Sequence, residues 1–157
     1  MTDSLLLRPA TPADARGMSA ILVPILAGWH SSRNGDPATV EAHYIAHPDR
    51  IACTLAEAEG RILGFQSLKL ARPGNAYGVT PGWGIIGTYV APDAGRGGIG
   101  RGLFAETARA ARGAGLPWID ATIGAGNPAG QAYYAAMGFA DYAGGSATAV
   151  CKRYRVA

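Results

Sequence analysis

The glycine-rich stretch APDAGRGGIGRGLF, residues 91–104, joins a predicted strand to the first turn of a predicted helix. Glycine lacks a Cβ, so several glycines close together predict either a ligand that approaches the backbone or a turn with positive φ. The first N–H groups of a helix have no partner within the helix and lie at the positive end of its dipole. Arg96 and Arg101 add two positive charges. The stretch therefore predicts an anion site, with phosphate as the favoured ligand.

Two known phosphate-binding loops share some of these letters. A nucleoside-triphosphate P-loop needs a Lys followed by Ser or Thr after the glycines, and this sequence has no such pair there. A dinucleotide-binding turn fits better, because Gly95, Gly97 and Gly100 spell G-x-G-x-x-G and Asp120 follows 20 residues later. Its context argues against it, because APDA separates the strand from the first glycine. Asp120 also lies inside the predicted strand WIDATI, which favours a structural role.

The elements before the glycine loop carry clear start signals. SLLLRPA predicts a first strand, and Thr11 and Pro12 predict the start of a helix that runs to about Trp29. Asp36 and Pro37 repeat that start signal for a second helix. RIACTLAE and ILGFQSLKLA, joined by a glycine-containing turn, predict a β-hairpin.

The elements around and after the loop complete the pattern. WGIIGTYV is apolar on both faces and predicts a central strand, and a helix follows the glycines. After the strand WIDATI, Asn127 and Pro128 begin a short helix that Gly138 ends. A final hairpin turns at Gly144 and Gly145, and its CKRYR run predicts a solvated edge strand. The element order β, α, α, β, β, β, α, β, α, β, β predicts a mixed α/β sheet.

Length and composition fit one globular domain over residues 1–157. The chain is 48% hydrophobic and 16% charged, with a net charge of +3 spread along the sequence, which argues against disorder and against a nucleic-acid partner. Cys53 and Cys151 lie far apart, and His43 and His47 have no visible third ligand, so we expect no metal. The longest apolar stretch is too short to cross a bilayer, and the start does not resemble a signal peptide. We therefore expect a cytoplasmic protein with no membrane partner.

Taken with NPAGQAYYAAMGF, residues 127–139, the glycine loop resembles the GNAT acetyltransferase superfamily. That family has a strand ending in V-x-P, a loop [QR]-x-x-G-x-[GA] and a helix, followed by an Asn, a Tyr seven residues on and a Gly-Phe pair. The matching positions are Val90, Pro92, Gly98, Ile99, Gly100, Asn127, Tyr134, Gly138 and Phe139. The resemblance covers almost the whole chain. It departs at Gly95, where the family has Gln or Arg and this chain has Arg96 one place later.

The resemblance implies an α/β (α+β) fold with a central, mostly antiparallel sheet of about six to seven strands, flanked by about four helices. The fourth and fifth strands would splay apart. Acetyl-CoA would be the co-substrate, with its pyrophosphate on the loop N–H groups and its pantetheine arm on the strand edge. Glycine at 98 and 100 would let the diphosphate approach. The implied cofactor-binding residues are Thr88, Tyr89, Val90, Arg96, Gly97, Gly98, Ile99, Gly100, Arg101 and Asn127.

The resemblance also implies direct transfer of an acetyl group to a primary amine of a small molecule or peptide. Tyr134 matches the family's acid, which protonates the leaving thiolate. A phenol with a pKa of about 10 stays protonated at pH 7, as this role requires. The adjacent Tyr133 has an equal claim by composition, and only the spacing to Gly138 favours Tyr134.

The acceptor side carries fewer signals. Trp29 and His30 fall where the family contacts its acceptor. Residues 77–90 contain no Asp, Glu or His where many relatives carry a base, so the base is unassigned and a water chain is one alternative. An inactive CoA-binding module is the second function that this gap supports. A homodimer is the assembly that the family implies.

Overall fold

The computed structural model of the protein describes residues 5–94, 98–142 and 145–156. Gly95, Arg96 and Gly97 of the predicted anion loop, and Gly144 of the last predicted turn, lie outside these ranges. Within them the strands are β1 (Leu6–Pro9), β2 (Arg50–Ala58), β3 (Arg61–Leu70), β4 (Gly84–Val90), β5 (Trp118–Gly124), β6 (Ala140–Asp141) and β7 (Ala149–Arg155). The helices are α1 (Ala15–Gly28), α2 (Pro37–Val40), α3 (Ile99–Gly113) and α4 (Pro128–Met137). This element order confirms the predicted one.

The strands form one sheet in the order β1-β2-β3-β4-β5-β7-β6. Neighbouring strands are antiparallel except β4 and β5, which are parallel. A dinucleotide-binding fold needs a mostly parallel sheet, so that interpretation of the glycine loop is wrong. The predicted mixed α+β fold, with its mostly antiparallel sheet, is confirmed.

A gap opens in the sheet between β4 and β5. In the described part of the chain these strands pair only at Gly84 with Ile119 and at Ile85 with Asp120. Both strands continue past this point, so they diverge instead of forming a ladder, as the predicted splay requires. We call the gap between residues 86–90 of β4 and residues 121–124 of β5 the notch.

One face of the sheet, the α1 face, is covered by α1 and α2. A short 3₁₀ turn, Pro12–Asp14, leads into α1, and the Asp14 carboxylate accepts from the Thr11 N–H at 2.8 Å. Asp36 caps α2 through the Thr39 N–H at 2.8 Å, and the helix continues as a π-helical turn, Glu41–Ile45. The core on this face includes Met18, Leu22, Leu26, Tyr44, Leu55, Phe65 and Tyr89.

The opposite face, the α3 face, is covered by α3 and α4. Asn127 caps α4 by accepting from the Gly130 N–H at 3.0 Å, and Gly138 ends it with φ 104°. Both features confirm the predicted helix bounds. The core on this face includes Leu68, Ile86, Phe104, Ile119, Tyr134 and Phe139.

The CKRYR strand, residues 151–155, is not the solvated edge that its alternation predicts. β7 lies between β5 and β6 in the sheet, and Cys151 and Lys152 are buried. The Lys152 ammonium pairs with Asp141 of β6. The prediction is wrong because β7 pairs along its whole length with β5, a strand that is distant in the sequence, as well as with its hairpin partner β6.

Candidate active site

The backbone of β4 directs hydrogen-bonding groups into the notch. The Ala91 N–H donates to the Leu63 carbonyl oxygen at 2.8 Å, which directs it toward β3. Successive residues of a strand alternate in direction, so Thr88 and Val90 direct their N–H and C=O groups toward the notch. In the described part of the chain, β5 does not pair with them. A ligand with amide groups can therefore add to this edge as an extra strand does.

Tyr134 lies beside the notch on the α3 face. Its hydroxyl is 2.8 Å from Thr88 Oγ1, and the residue is only 7% exposed. Burial raises the pKa of Tyr134 well above the ordinary 10.0, although the hydrogen bond to Thr88 opposes that rise. The phenol is therefore protonated at neutral pH, in the state that a proton donor needs.

A buried glutamine orders the hydrogen bonds behind Tyr134. Gln66 on β3 donates from Nε2 to Thr88 Oγ1 at 2.9 Å and accepts at Oε1 from Thr107 at 2.5 Å. With this bond in place, Thr88 can donate its own proton to the Tyr134 oxygen, which is one of the two directions that their contact allows. That arrangement leaves the Tyr134 proton available to the notch. Sequence analysis missed Gln66, because nothing in the strand pattern distinguishes it from a core residue.

Tyr133, the neighbouring phenol, faces α3 instead of the notch. Its hydroxyl donates to the Gly100 carbonyl oxygen at 2.6 Å and accepts from Gln66 Nε2 at 3.0 Å. A Cβ added to Gly100 would lie 2.6 Å from Tyr133 Cε1. Glycine is therefore favoured at position 100 because the Tyr133 ring packs against it. The sequence alone does not reveal this contact.

These contacts predict that Tyr133→Phe is a stability variant. The substitution removes the bond to Gly100 and leaves one Gln66 N–H without its acceptor, so the free energy of unfolding should fall by about 1–3 kcal/mol. Denaturant unfolding measures this loss. The turnover number should stay within a few-fold of wild type. A collapse of turnover with unchanged stability would instead make Tyr133 the proton donor.

Gly98 begins α3 at the open end of β4. It is the N-cap residue, with φ 81°, and a Cβ added there would meet nothing within 4 Å. The left-handed backbone, not lack of space, therefore requires glycine at this position. Ile99 is buried and packs in a cluster with Val90, which brings the first turn of α3 next to the end of β4.

The acetyltransferase (GNAT) family model matches residues 20–139, which is most of the chain. The chain belongs to the GNAT family. The fold agrees with solved structures along nearly its full length. A ribosomal-protein-alanine N-acetyltransferase from Brucella melitensis is 25% identical, with a TM-score of 0.76 and 96% and 99% of the two chains covered.

Two further solved structures are more distant in sequence. yncA from Salmonella typhimurium, solved with its cofactor acetyl-CoA, is 20% identical, with a TM-score of 0.77 and 99% and 95% of the chains covered. The paia N-acetyltransferase from Thermoplasma acidophilum, in complex with coenzyme A, is 15% identical, with a TM-score of 0.73 and 97% and 99% covered. No curated protein is significantly similar in sequence.

Arg101 of this GNAT chain is exposed and lies on the outer side of α3. It lines a groove between α3 and α4 together with Arg109 and Arg112. Of the predicted loop cations, Arg96 lies outside the described residues. The structure thus brings Thr88, Val90, Tyr134, Gly98 and Ile99 to one end of the notch, while Arg101 borders the neighbouring groove.

On the α1 face of the GNAT fold, β4 presents its one aromatic residue, Tyr89, beside the notch. The exposed Trp29 ring lies 6.0 Å from the Tyr89 ring, centroid to centroid. His30 follows it with φ 53° and is exposed. The end of α1 therefore brings Trp29, one of the two predicted acceptor-side residues, toward this face of β4.

Asp120 is the one carboxylate at the start of the notch among the described residues. It is fully buried on β5, where it accepts from Tyr142 and, at 2.8 Å, from Thr122. Burial raises the pKa of this carboxyl. Both oxygens are engaged and closed off from solvent, which supports the structural role that its place in the strand predicts. No helix in the described ranges is long and apolar enough to cross a membrane, nor do three potential metal ligands cluster there.

Proposed function

We propose that this GNAT protein is an acetyl-CoA-dependent N-acetyltransferase that moves the acetyl group directly to a primary amine of a small molecule or peptide. The observation that carries the proposal is the Tyr134 hydroxyl, held protonated 2.8 Å from Thr88 beside the unpaired edge of β4. The acetyl-CoA in yncA and the coenzyme A in paia support the choice of co-substrate.

The described residues offer matching chemistry to each part of acetyl-CoA. The backbone of Thr88 and Val90 would pair with the amides of the pantetheine arm. The first turn of α3, after Gly98, would hold the pyrophosphate on its N–H groups. Asn127 already caps α4, so any contact with the cofactor would come from its amide nitrogen.

Acetyl transfer then needs three actions from the protein. The amine nitrogen attacks the thioester carbonyl carbon, and the carbon–sulfur bond breaks. The notch-facing N–H of Val90 would stabilise the negative charge that develops on the carbonyl oxygen. Tyr134 would give its proton to the departing sulfur, whose ordinary thiol pKa of about 8.5 makes it an adequate acceptor.

The amine must lose a proton before it attacks, because alkylammonium groups have a pKa near 10.4. β4 carries no Asp, Glu or His, and Asp120 is closed off by Tyr142 and Thr122. We therefore assign the deprotonation to water in the notch instead of to a side chain. This gap is also the one feature that favours the second candidate, a CoA-binding module without activity.

Incubation with acetyl-CoA and a panel of amines distinguishes the two candidates. We expect free thiol and the acetamide to appear in equal amounts, with mass spectrometry identifying the acetylated amine and a reaction without amine as the control. Calorimetric binding of coenzyme A with no turnover of any amine would support the module. An acetylated protein side chain that forms without amine and then turns over would contradict direct transfer.

A further inference from the structure

Arg33, in the segment between α1 and α2, directs its guanidinium onto the α1 face of β4. Its Nη2 lies 2.5 Å from the Tyr44 hydroxyl and 3.3 Å from the Tyr89 hydroxyl. Tyr89 folds back along its own strand, because a Cβ added to Gly87 would lie 3.3 Å from the Tyr89 hydroxyl. Gly87 is one of the β4 residues that border the notch. The guanidinium therefore lies over the notch on the side opposite Tyr134.

Lys69 brings a second cation to the same face. It lies on β3, four residues after Phe65 of the α1-face core, and its ammonium is 5.3 Å from the centre of the Tyr44 ring. The Lys69 Nζ and the His43 Nε2 are 3.2 Å apart. An ammonium only donates, so His43 accepts this hydrogen bond and contributes no negative charge.

Neither cation has an acidic partner. Five other basic side chains in the described part of the chain do lie within ion-pair distance of an Asp or Glu, namely Arg8, Arg61, Arg72, Arg109 and Lys152. The hydrogen-bond partners of Arg33 and Lys69 in those ranges are phenols and an imidazole, and the carboxylate whose field reaches Lys69, Asp49, is itself paired with Arg72. Two like charges that converge without a counter-charge repel, and a bound anion would remove that cost.

Arg33 also retains donors for such an anion. Its side-chain hydrogen bonds within the described residues come from Nη2 alone, to Tyr44 and Tyr89. The N–H groups at Nε and Nη1 therefore remain, and each can donate a charge-assisted hydrogen bond to an oxoanion. The residue is exposed, so a small solute can reach it.

From this geometry we propose that Arg33 and Lys69 bind a carboxylate or similar oxoanion of the acceptor, and that the substrate is a small amine of the amino-acid class. This inference rests on the proposed N-acetyltransferase function and specifies its acceptor. The amine enters the notch past Tyr89, while the anionic group stays on the two cations. A protein N-terminus, which has no free carboxylate beside its amine, fits this arrangement poorly.

Matched pairs of amino acids and their amides test the proposal. Each pair shares a side chain and an amine and differs in one negative charge, and the amide's less basic amine is the more available nucleophile. We expect kcat/KM to be at least tenfold higher for the acids. Arg33→Met should raise KM for the acids ten- to a hundredfold and leave the amides nearly unchanged. Arg109→Met, which alters an exposed arginine on α3, is the control and should change neither.

The outcomes separate this inference from the proposed function. Turnover of amides or plain amines as efficiently as amino acids, with no effect of Arg33→Met, would overturn the anion site and leave the N-acetyltransferase standing. Preference for a peptide N-terminus would also overturn it. Failure to acetylate any amine would overturn the function itself. Arg33→Lys provides a second variant, and partial retention of the acid preference would show that charge, not the folded segment, is responsible.

The same site predicts a pH dependence for binding of an amine-free carboxylate. Burial, followed by the field of Arg33, lowers the pKa of Lys69 to about 8. Lys69 therefore loses its charge as pH rises through about 8. A short-chain carboxylate that competes with the amine should then bind more weakly, and its inhibition constant should rise severalfold between pH 7 and 9. Lys69→Met should bind more weakly at pH 7 and show no such change.

The groups that face Lys69 do not produce this profile. Partial desolvation and the charges of Lys69 and Arg33 lower the pKa of His43 to about 4, and burial raises the pKa of Cys53 to about 11 and that of Tyr44 well above its ordinary range. Asp49 is paired with Arg72. A carboxylate affinity that stays constant from pH 7 to 9 in the wild type would remove Lys69 from the site.

Discussion

Replacing Tyr134 by Phe should lower kcat by about 10²-fold or more, because a positioned general acid contributes about 10²- to 10⁴-fold to proton transfer. The ring of Tyr134 packs 5.1 Å from that of Phe139, and a phenylalanine keeps this contact. KM for acetyl-CoA should therefore change little, since the lost interaction matters in the transition state. Steady-state thiol release with the best amine measures both constants.

Tyr133→Phe is the matched control for this loss. It removes the adjacent phenol, whose hydroxyl donates to the Gly100 carbonyl oxygen and accepts from Gln66. We expect the two variants to differ in kind, with Tyr134→Phe losing turnover and Tyr133→Phe losing stability. An unchanged kcat in Tyr134→Phe would remove the acid from the account.

Gly98→Val should weaken coenzyme A binding by about tenfold or more. A β-branched residue at φ 81° costs about 1–3 kcal/mol of backbone strain. The chain either keeps this strained backbone or relieves the strain by shifting the first turn of α3. Each 1.4 kcal/mol lost from binding raises Kd tenfold. Titration calorimetry with coenzyme A measures Kd, and thermal unfolding shows that the variant remains folded.

Gly113→Val makes the same substitution at the other end of α3. Gly113 has no positive φ, and a Cβ there would meet nothing within 4 Å. Its stability should change by less than about 0.5 kcal/mol, because valine and glycine differ little in helix propensity. Its Kd for coenzyme A should equal that of the wild type. Equal affinity in both variants would show that the start of α3 holds no part of the cofactor.

The parts of the fold that the sequence predicts correctly are those set by contacts between residues close in the sequence. Asp36 and Asn127, at two predicted helix starts, each accept from the backbone N–H three residues on, because such contacts are local in the sequence. Gly138 adopts the left-handed end that a helix stop requires. The β7 edge prediction is wrong for the opposite reason, since β7 pairs with β5, a strand that is distant in the sequence.

The site is predictable where a motif carries it and not where distant residues meet. Tyr134 and the glycine loop follow from spacing. Gln66, by contrast, acts through contacts with residues 22, 41 and 67 positions away in the sequence, which only the folded sheet brings together. Arg33 and Lys69 converge in the same way, from a loop and a strand whose separate patterns suggest solvated charges.

The central claim is that the splayed edge of β4 and Tyr134 together form the place where the thioester reacts. A crystal structure of the protein with acetyl-CoA tests it most directly. We expect pantetheine amides paired with the backbone of residues 86–90 and a sulfur within about 3.5–4 Å of the Tyr134 hydroxyl. A thioester bound away from the notch, or a sulfur beyond the reach of Tyr134 while the cofactor occupies the notch, would contradict it.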